Sequence, residues 1–148
     1  MRYEGEFVSF SMARDMYHET VKAALIEDGW EITADPLPLR MPGISYEVDL
    51  GAEKIIAASK DNHKIAVEIK SFSAQSDAYE FHRALGQFNV YVLALQKLEP
   101  DRELYLAIPS LVHRDFFQLD FIQEVLDHYQ IRLIIFDPEP PTSLQWIS

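Results

Sequence analysis

Asp49, Glu68 and Lys70 are the residues of this chain whose types and spacing could support chemistry. Two carboxylates can hold a hard divalent cation through their oxygen atoms. A lysine beside them can orient an attacking water molecule or stabilise the negative charge that grows on a phosphate. Together the residues predict a metal-dependent phosphodiesterase, with Asp49 and Glu68 as metal ligands, Lys70 as a catalytic residue and Mg²⁺ or Mn²⁺ as the ion.

Two segments with the alternating pattern of β-strands carry these residues. In segment 64–72 apolar side chains alternate with Glu68 and Lys70, and in segment 44–50 they alternate with polar side chains that include Asp49. If the two strands are neighbours, Asp49, Glu68 and Lys70 form a group that we call the acidic cup. The same pattern is also typical of an antiparallel strand with one face in water, where opposite charges are mildly favourable. The alternation leaves both interpretations open.

The composition predicts one globular domain. The chain has 148 residues, of which 48% are hydrophobic and 12% aromatic, and it contains no cysteine. The length and the hydrophobic content are enough for a hydrophobic core. The absence of cysteine excludes disulfides and thiolate metal sites. No apolar run is long enough to span a bilayer, and the acidic N-terminus is unlike a signal peptide. We therefore expect a cytoplasmic protein that does not enter a membrane.

The net charge of −11 opposes independent DNA binding. Nucleic-acid binding normally depends on Lys and Arg side chains that neutralise phosphates. An enzyme of this charge would therefore meet DNA through a local basic patch or as part of a complex with a basic partner.

The order of predicted elements is helix, several strands, helix, strand, helix, strand. Early strands favour antiparallel pairing, and the later alternation of strands with helices favours parallel pairing, so an α/β fold with a mixed sheet flanked by helices fits both. Prolines at positions 36 and 38 predict an interruption of the strands at 35–38, and Asp61–His63 is predicted to be a hairpin turn. Predicted helices cover residues 14–28, 77–98 and 112–129, and predicted strands cover 30–34, 44–50, 64–72, 103–108 and 131–136.

Two of the predicted helices offer further polar groups to the acidic cup. His18 lies about 60° from the centre of the apolar arc of the first helix, at its flank, where it could ligate the metal or position a water. Glu19 is the alternative on that helix. Gln87 and Tyr91 are four residues apart and flank the core-facing side of the second helix. Gln87 could hydrogen-bond the ligand carboxylates or the water, whereas Tyr91 fits simple packing on the sheet.

This order of elements, with Asp49 on one strand and Glu68-Ile69-Lys70 on a following one, resembles the PD-(D/E)XK nuclease superfamily. The pair Gln87 and Tyr91 is similar to the Gln-x-x-x-Tyr element of RecB-like nucleases in that superfamily. The resemblance implies a restriction-endonuclease-like mixed β-sheet flanked by helices. The proline that precedes the aspartate in the superfamily's name is replaced here by Val48.

The chain from Met12 onward also resembles a narrower group, the cyanobacterial XisH family, whose members are named controlling factors for excision of the fdxN element. This resemblance implies a role in DNA rearrangement beside a site-specific recombinase and a companion protein, XisI. The segments that carry the resemblance are 10–30, 35–37, 48–54, 65–72, 84–88 and 104–107.

The sequence thus predicts a single endonuclease-like domain over residues 12–148, preceded by residues 1–11 as an N-terminal extension or a short strand. The leading hypothesis is a XisH-type excision controlling factor with a divalent-metal-dependent DNA phosphodiesterase site. The alternative is a catalytically silent regulatory or assembly subunit that binds XisI or a recombinase. A third hypothesis, a toxin–antitoxin-like pair with XisI, stays open, as do homodimer formation and the DNA sequence recognised.

Overall fold

A computed structural model describes residues 8–10, 15–56, 61–73 and 76–148, which form an α/β fold with two β-sheets. The helices in these ranges are α1 (His18–Glu27), α2 (Asp77–Leu98), α3 (Ser110–Asp115) and α4 (Asp120–His128). The strands are β1 (Val8–Phe10), β2 (Glu31–Ala34), β3 (Leu37–Met41), β4 (Ile44–Val48), β5 (Leu50–Ile56), β6 (Asp61–Ile69), β7 (Arg102–Pro109), β8 (Leu133–Phe136) and β9 (Leu144–Ile147). No helix among these residues combines the length and apolar character that crossing a bilayer requires.

The larger sheet is mixed, as the sequence predicts. Its strand order is β2-β5-β6-β7-β8-β9. Strands β6, β7 and β8 are parallel, whereas β2, β5 and β9 join as antiparallel neighbours. Parallel neighbours need a crossover connection; α2 supplies it between β6 and β7, and α3 with α4 supplies it between β7 and β8.

Alternate residues of the central strands enter two separate cores. Ala66, Leu104 and Leu106 pack on one face of the large sheet with Phe88 and other residues of α2. Ile65, Val67, Ile69 and Tyr105 pack on the opposite face with Val21 and Leu25 of α1. This sheet therefore has helices on both faces, so a polar side chain on β6 lies beneath a helix instead of facing water.

The smaller sheet has the order β1-β4-β3, and its third strand corrects one prediction. The prolines at 36 and 38 were expected to exclude a strand, yet Pro38 lies in β3 and pairs with Glu47 of β4. Strand β3 is at the edge of the sheet, where a residue without an N–H group need not break a ladder.

The strand predicted over 44–50 is divided at Asp49. Strand β4 ends at Val48 in the smaller sheet, and β5 begins at Leu50 in the larger one. Asp49 is the single residue between them, so it lies where the chain passes from one sheet to the other. Its position at this junction, and not on a continuous strand, brings it to the end of β6.

Several other boundaries differ from the predictions. Asn62 and His63 lie within β6, paired with β5, so the predicted turn at Asp61–His63 is wrong. The helix predicted over 112–129 is divided into α3 and α4 by a turn at 116–119, and β9 was not predicted. The sequence offers Ser76 or Asp77 as the cap of α2, and the cap is Ser76, because its hydroxyl accepts a hydrogen bond from the backbone N–H of Tyr79 at 3.2 Å.

The predicted N-terminal extension falls mostly outside the described residues. Residues 1–7 and 11–14 are not described, while β1 pairs in parallel with β4 in the register Val8↔Ile44 to Phe10↔Tyr46. This agrees with the short strand considered for this segment. The boundary at residue 12 stays a prediction.

Alanine substitutions at two glycines test the backbone geometry in α2 and after α1. A Cβ added to Gly86, in the middle of α2, would meet no atom within 4 Å. We therefore expect Gly86→Ala to raise the free energy of unfolding by about 0.5–1 kcal/mol, because alanine restricts the unfolded chain without a clash. Gly29, after α1, has a φ of +96°, and its Cβ would lie 3.1 Å from Cε of Lys54.

We expect Gly29→Ala to lower the free energy of unfolding by about 1 kcal/mol or more. Urea denaturation of the two variants beside the wild type measures both changes. Equal effects of the two substitutions would contradict the backbone geometry described for α1 and α2.

Candidate functional site

The acidic cup is assembled where β6 ends beside the junction between the two sheets. Leu50 pairs with Val67, so Asp49 and Glu68 are the next residues across from each other. The backbone N–H of Asp49 donates to Oε1 of Glu68 at 3.2 Å, and the backbone N–H of Ile69 donates to Oδ2 of Asp49 at 2.7 Å. Glu68 thus accepts a hydrogen bond from the backbone of Asp49, and Asp49 accepts one from the strand that carries Glu68.

Glu68 is buried, which contradicts the alternative that it lies on a wet strand face. Its exposed fraction is 3%. The reason is the crossover connection: α2 covers the face of β6 on which Glu68 lies. Lys70 directly follows β6, and its Nζ is 3.6 Å from Oε2 of Glu68. Only 12% of the Lys70 side chain is exposed, so this ion pair is largely shielded from solvent.

Burial and mutual repulsion make the carboxylates of the cup hard to ionise. Burial, followed by the charge of Asp49, raises the pKa of Glu68 to about 8, although Lys70 opposes the shift. Burial also raises the pKa of Asp49, and this effect exceeds the opposing effects of the Ile69 N–H and of nearby positive charges. When both carboxylates are ionised, Lys70 neutralises only one of them. The remaining negative charge of the cup therefore favours the binding of a further cation.

His18 is buried on α1 and contacts a residue that the sequence did not single out. Its Nε2 lies 2.8 Å from Oδ1 of Asp35, and the exposed fraction of His18 is 3%. Oδ2 of Asp35 accepts from Nζ of Lys22 at 2.7 Å. Although burial raises the pKa of Asp35, its bonds to Lys22 and His18 lower it overall, so this carboxylate is ionised at neutral pH.

Glu19, the alternative to His18, is exposed on the same helix. His18, Glu19 and Asp35 each place one potential ligand atom within 4.8 Å of the others. However, both oxygens of Asp35 already contact His18 and Lys22, and the ammonium of Lys22 supplies the positive charge that a metal ion would bring. This second cluster is therefore less suited to a cation than the acidic cup.

Gln87 and Tyr91 lie on the side of α2 that faces the sheet. Tyr91 is buried and packs edge-on against Tyr46, with ring centroids 5.8 Å apart. Burial, together with the charges of Glu68 and Asp49, raises the pKa of Tyr91, so its hydroxyl is electrostatically close to the cup. Oε1 of Gln87 is buried and has no hydrogen-bond partner among the described residues.

The unpartnered amide oxygen of Gln87 leads to a prediction. A buried polar atom without a partner lowers stability, so Gln87→Met should leave the free energy of unfolding unchanged or raise it by up to about 1 kcal/mol. If the side chain of Gln87 were needed for packing, the substitution would instead lower the free energy of unfolding. Thermal denaturation of the metal-free variant and wild type decides between the two, and Gln96→Met, exposed on the same helix, is the control.

The segment after β6 is held in place by two contacts. Oδ2 of Asp15 accepts from the backbone N–H of Ser71 at 2.9 Å, and its Oδ1 accepts from the N–H of Tyr17 at 2.9 Å, which ties the start of α1 to this segment. Phe72 has a φ of +55°, unusual for a bulky residue, and its ring packs edge-on against Phe117. These contacts fix the backbone on which Lys70 sits.

The structure therefore brings Asp49, Glu68 and Lys70 into contact, and His18 and Tyr91 lie within electrostatic range of them. Gln87 lies one helical turn before Tyr91 on α2. Sequence reasoning missed the residues that hold this set, namely Asp15, Lys22, Asp35 and Phe72. Asp35 lies in a predicted turn, where no periodic pattern marks a side chain as structural. Asp15 lies near the start of the predicted helix 14–28, whereas α1 begins at His18. Their roles depend on contacts between distant segments.

Comparison with known proteins identifies the family. The sequence model of the XisH family, described as XisH protein, matches residues 11–142. The chain belongs to the XisH family. This confirms the predicted resemblance, and the matched range contains the whole acidic cup together with His18 and Gln87.

Two solved structures extend this assignment to the fold of the XisH family. A crystal structure of an XisH family protein from Nostoc punctiforme PCC 73102 is 43% identical, covers 90% of this chain and 100% of that chain, and superposes with a TM-score of 0.81. The structure of a fdxN element excision controlling factor protein from Anabaena variabilis is 46% identical, covers 91% of this chain and 100% of that chain, and has a TM-score of 0.82. A search of curated proteins gave no significant match.

Proposed function

We propose that this chain is a controlling factor for excision of a DNA element, and that its acidic cup is a divalent-metal-dependent DNA phosphodiesterase site. The first part is supported by the likeness to the fdxN element excision controlling factor protein from Anabaena variabilis. The second part rests on the geometry of the cup.

The observation that carries the catalytic proposal is the contact of a buried carboxylate, Glu68, with a half-buried one, Asp49, beside a single ammonium group. Glu68 and Asp49 both have raised pKa values, and Glu68 is nearly inaccessible to water. Burying such a pair costs stability unless a positive charge joins it. On α2, the buried Oε1 of Gln87 is a further oxygen without a hydrogen-bond donor among the described residues. An oxygen-rich, electron-rich set of this kind fits Mg²⁺ or Mn²⁺.

Each residue of the cup would have its own role in phosphodiester cleavage. Asp49 and Glu68 would hold the ion, and a bound divalent ion would supply Lewis acidity and neutralise phosphate charge. Lys70, anchored by Glu68, would stabilise the charge that develops on the phosphate. Gln87 would orient the carboxylates through its amide, and His18 would position the attacking water from the opposite helix.

The topology around the cup supports a restriction-endonuclease-like assignment. A crossover helix, α2, connects the strand that carries Glu68 to its parallel neighbour β7, and it carries Gln87. Asp49 enters from the junction between β4 and β5. This arrangement of Asp, Glu-x-Lys and Gln fits the PD-(D/E)XK interpretation.

A DNA cleavage assay with a variant of the acidic cup tests this proposal. We expect the wild-type chain, with Mn²⁺ and with its recombinase or XisI-like partner present, to cleave plasmid DNA, and Asp49→Asn to remove the activity. Glu31→Gln, an exposed carboxylate on β2, is the matched control and should cleave normally. Cleavage that survives Asp49→Asn, or an inactive wild type under all these conditions, would contradict the catalytic proposal.

The net charge of −11 favours a second candidate, a catalytically silent assembly subunit. An acidic surface is suited to docking a basic recombinase or an XisI-like protein and repels free DNA. The double variant Asp49→Ala and Glu68→Ala separates the candidates in an excision assay. Excision that continues with the variant while it still assembles with its partner would support the silent subunit.

A further inference from the structure

The environment of His18 defines which of its nitrogens carries a proton. Nε2 of His18 is 2.8 Å from Oδ1 of Asp35, and Nζ of Lys22 is 2.7 Å from Oδ2 of the same carboxylate. An ionised carboxylate only accepts hydrogen bonds. The short contact therefore requires a hydrogen on Nε2, and Lys22 keeps the carboxylate in the charged form that accepts it.

The other ring nitrogen is left without a protein partner. Nδ1 of His18 is buried and forms no hydrogen bond within the described residues. In the neutral imidazole with a hydrogen on Nε2, Nδ1 carries a lone pair. The two nitrogens lie on different sides of the ring, so Nδ1 points away from Asp35. The positive charge of a protonated His18 would lower the pKa of Asp49, which places the ring within electrostatic range of the acidic cup.

We propose that Asp35, held by Lys22, is a positioning residue that fixes the Nε2–H tautomer of His18 and so presents Nδ1 to the acidic cup as an unprotonated acceptor for the attacking water. A histidine near a metal site commonly donates its other N–H to a carboxylate in this way. The role of the acceptor rests on the phosphodiesterase function proposed above, whereas the tautomer itself can be measured without metal or DNA.

Long-range ¹H–¹⁵N correlation spectra of the metal-free, ¹⁵N-labelled chain at neutral pH test the tautomer directly. We expect His18 of the wild type to show a protonated Nε2 and an unprotonated Nδ1. Asp35→Asn keeps the shape of the side chain but removes its charge and can offer an N–H in place of an oxygen. It should shift the population toward the Nδ1–H form.

Two further variants control this experiment. Glu19→Gln changes the exposed carboxylate beside His18 and should leave the tautomer as in the wild type. Lys22→Met removes the second partner of Asp35 and should shift the tautomer less than Asp35→Asn, because Oδ1 can still accept from Nε2. A wild type with Nδ1–H or with both nitrogens protonated would overturn the proposal, and so would a tautomer unchanged by Asp35→Asn in a variant with wild-type circular dichroism.

The proposed role of Nδ1 in positioning water is tested separately, by the rate of DNA cleavage. Once cleavage by the wild type is measured, Asp35→Asn should lower the turnover rate about 10- to 100-fold and leave Mn²⁺ affinity unchanged. Equal turnover by the two proteins would overturn the role of Nδ1 in positioning water. A wild type with the expected tautomer but no cleavage would contradict the phosphodiesterase function and would leave the Asp35–His18 pairing established.

Discussion

Titration calorimetry with Mn²⁺ or Mg²⁺ is expected to show binding to the wild-type chain that Glu68→Gln abolishes or weakens by more than about 100-fold. Loss of an outer-shell partner typically costs 10- to 100-fold in metal affinity, and Glu68 would be one of only two charged ligands. Glutamine keeps the size and the hydrogen bond from the N–H of Asp49. The substitution therefore removes charge with little change in packing.

The same titration should report proton release. Since the pKa of Glu68 is raised to about 8, the metal-free cup retains a proton at pH 7, and metal binding requires its loss. The apparent binding enthalpy of the wild type should therefore differ between buffers with different ionisation enthalpies. Glu31→Gln, the exposed control on β2, should bind as the wild type does. Binding of equal strength by Glu68→Gln would show that the cup is not the metal site.

The stability of the metal-free protein is expected to depend on pH through Glu68. The pKa of this side chain is about 8 in the folded protein against an ordinary value of 4.5. A group with a raised folded-state pKa contributes stability that is fully present below the unfolded value and is lost as the pH rises through the folded value. The free energy of unfolding should therefore decrease, through this group, between pH 4.5 and about 8.

Comparison of the wild type with Glu68→Gln isolates this contribution from other titrating groups. Glutamine cannot ionise, so the stability of the variant relative to the wild type should increase steadily over this pH range and then become constant. Urea denaturation at a series of pH values in the presence of a chelator measures the difference. A difference that does not vary with pH would contradict the buried environment of Glu68. Addition of Mn²⁺ should raise the stability of the wild type only.

The sequence was sufficient to predict that Asp49, Glu68 and Lys70 lie together, and it was insufficient to predict their surroundings. The alternation in segment 64–72 predicts a strand with Glu68 on one face, but a period of two does not say whether a helix covers that face. That depends on the crossover of α2, which is a property of the whole topology. Ser76 could be predicted as a helix cap because capping is local.

Contacts between segments that are distant in the chain could not be predicted from the sequence. Asp49 was expected on a continuous strand, because segment 44–50 alternates without interruption, and the change of sheet after Val48 leaves no mark in that pattern. The pairing of Asp35 with His18 joins a loop to a helix 17 residues away, and the bond from Ser71 to Asp15 spans 56 residues. Neither spacing belongs to a periodic element, so neither could be found from the sequence.

The exchange of hydrogen bonds between Asp49, Glu68 and the facing backbone has an evolutionary consequence. These carboxylates align the hairpin of β5 and β6 at the point where the chain changes sheets, so a substitution at Asp49 affects folding as well as chemistry. A family member that had lost catalysis would still be selected to keep this residue, whereas Lys70, which pairs with Glu68 but aligns no strand, would be under weaker selection. Replacement of Lys70 while Asp49 persists should therefore mark the branches of the family in which the chemistry has been lost.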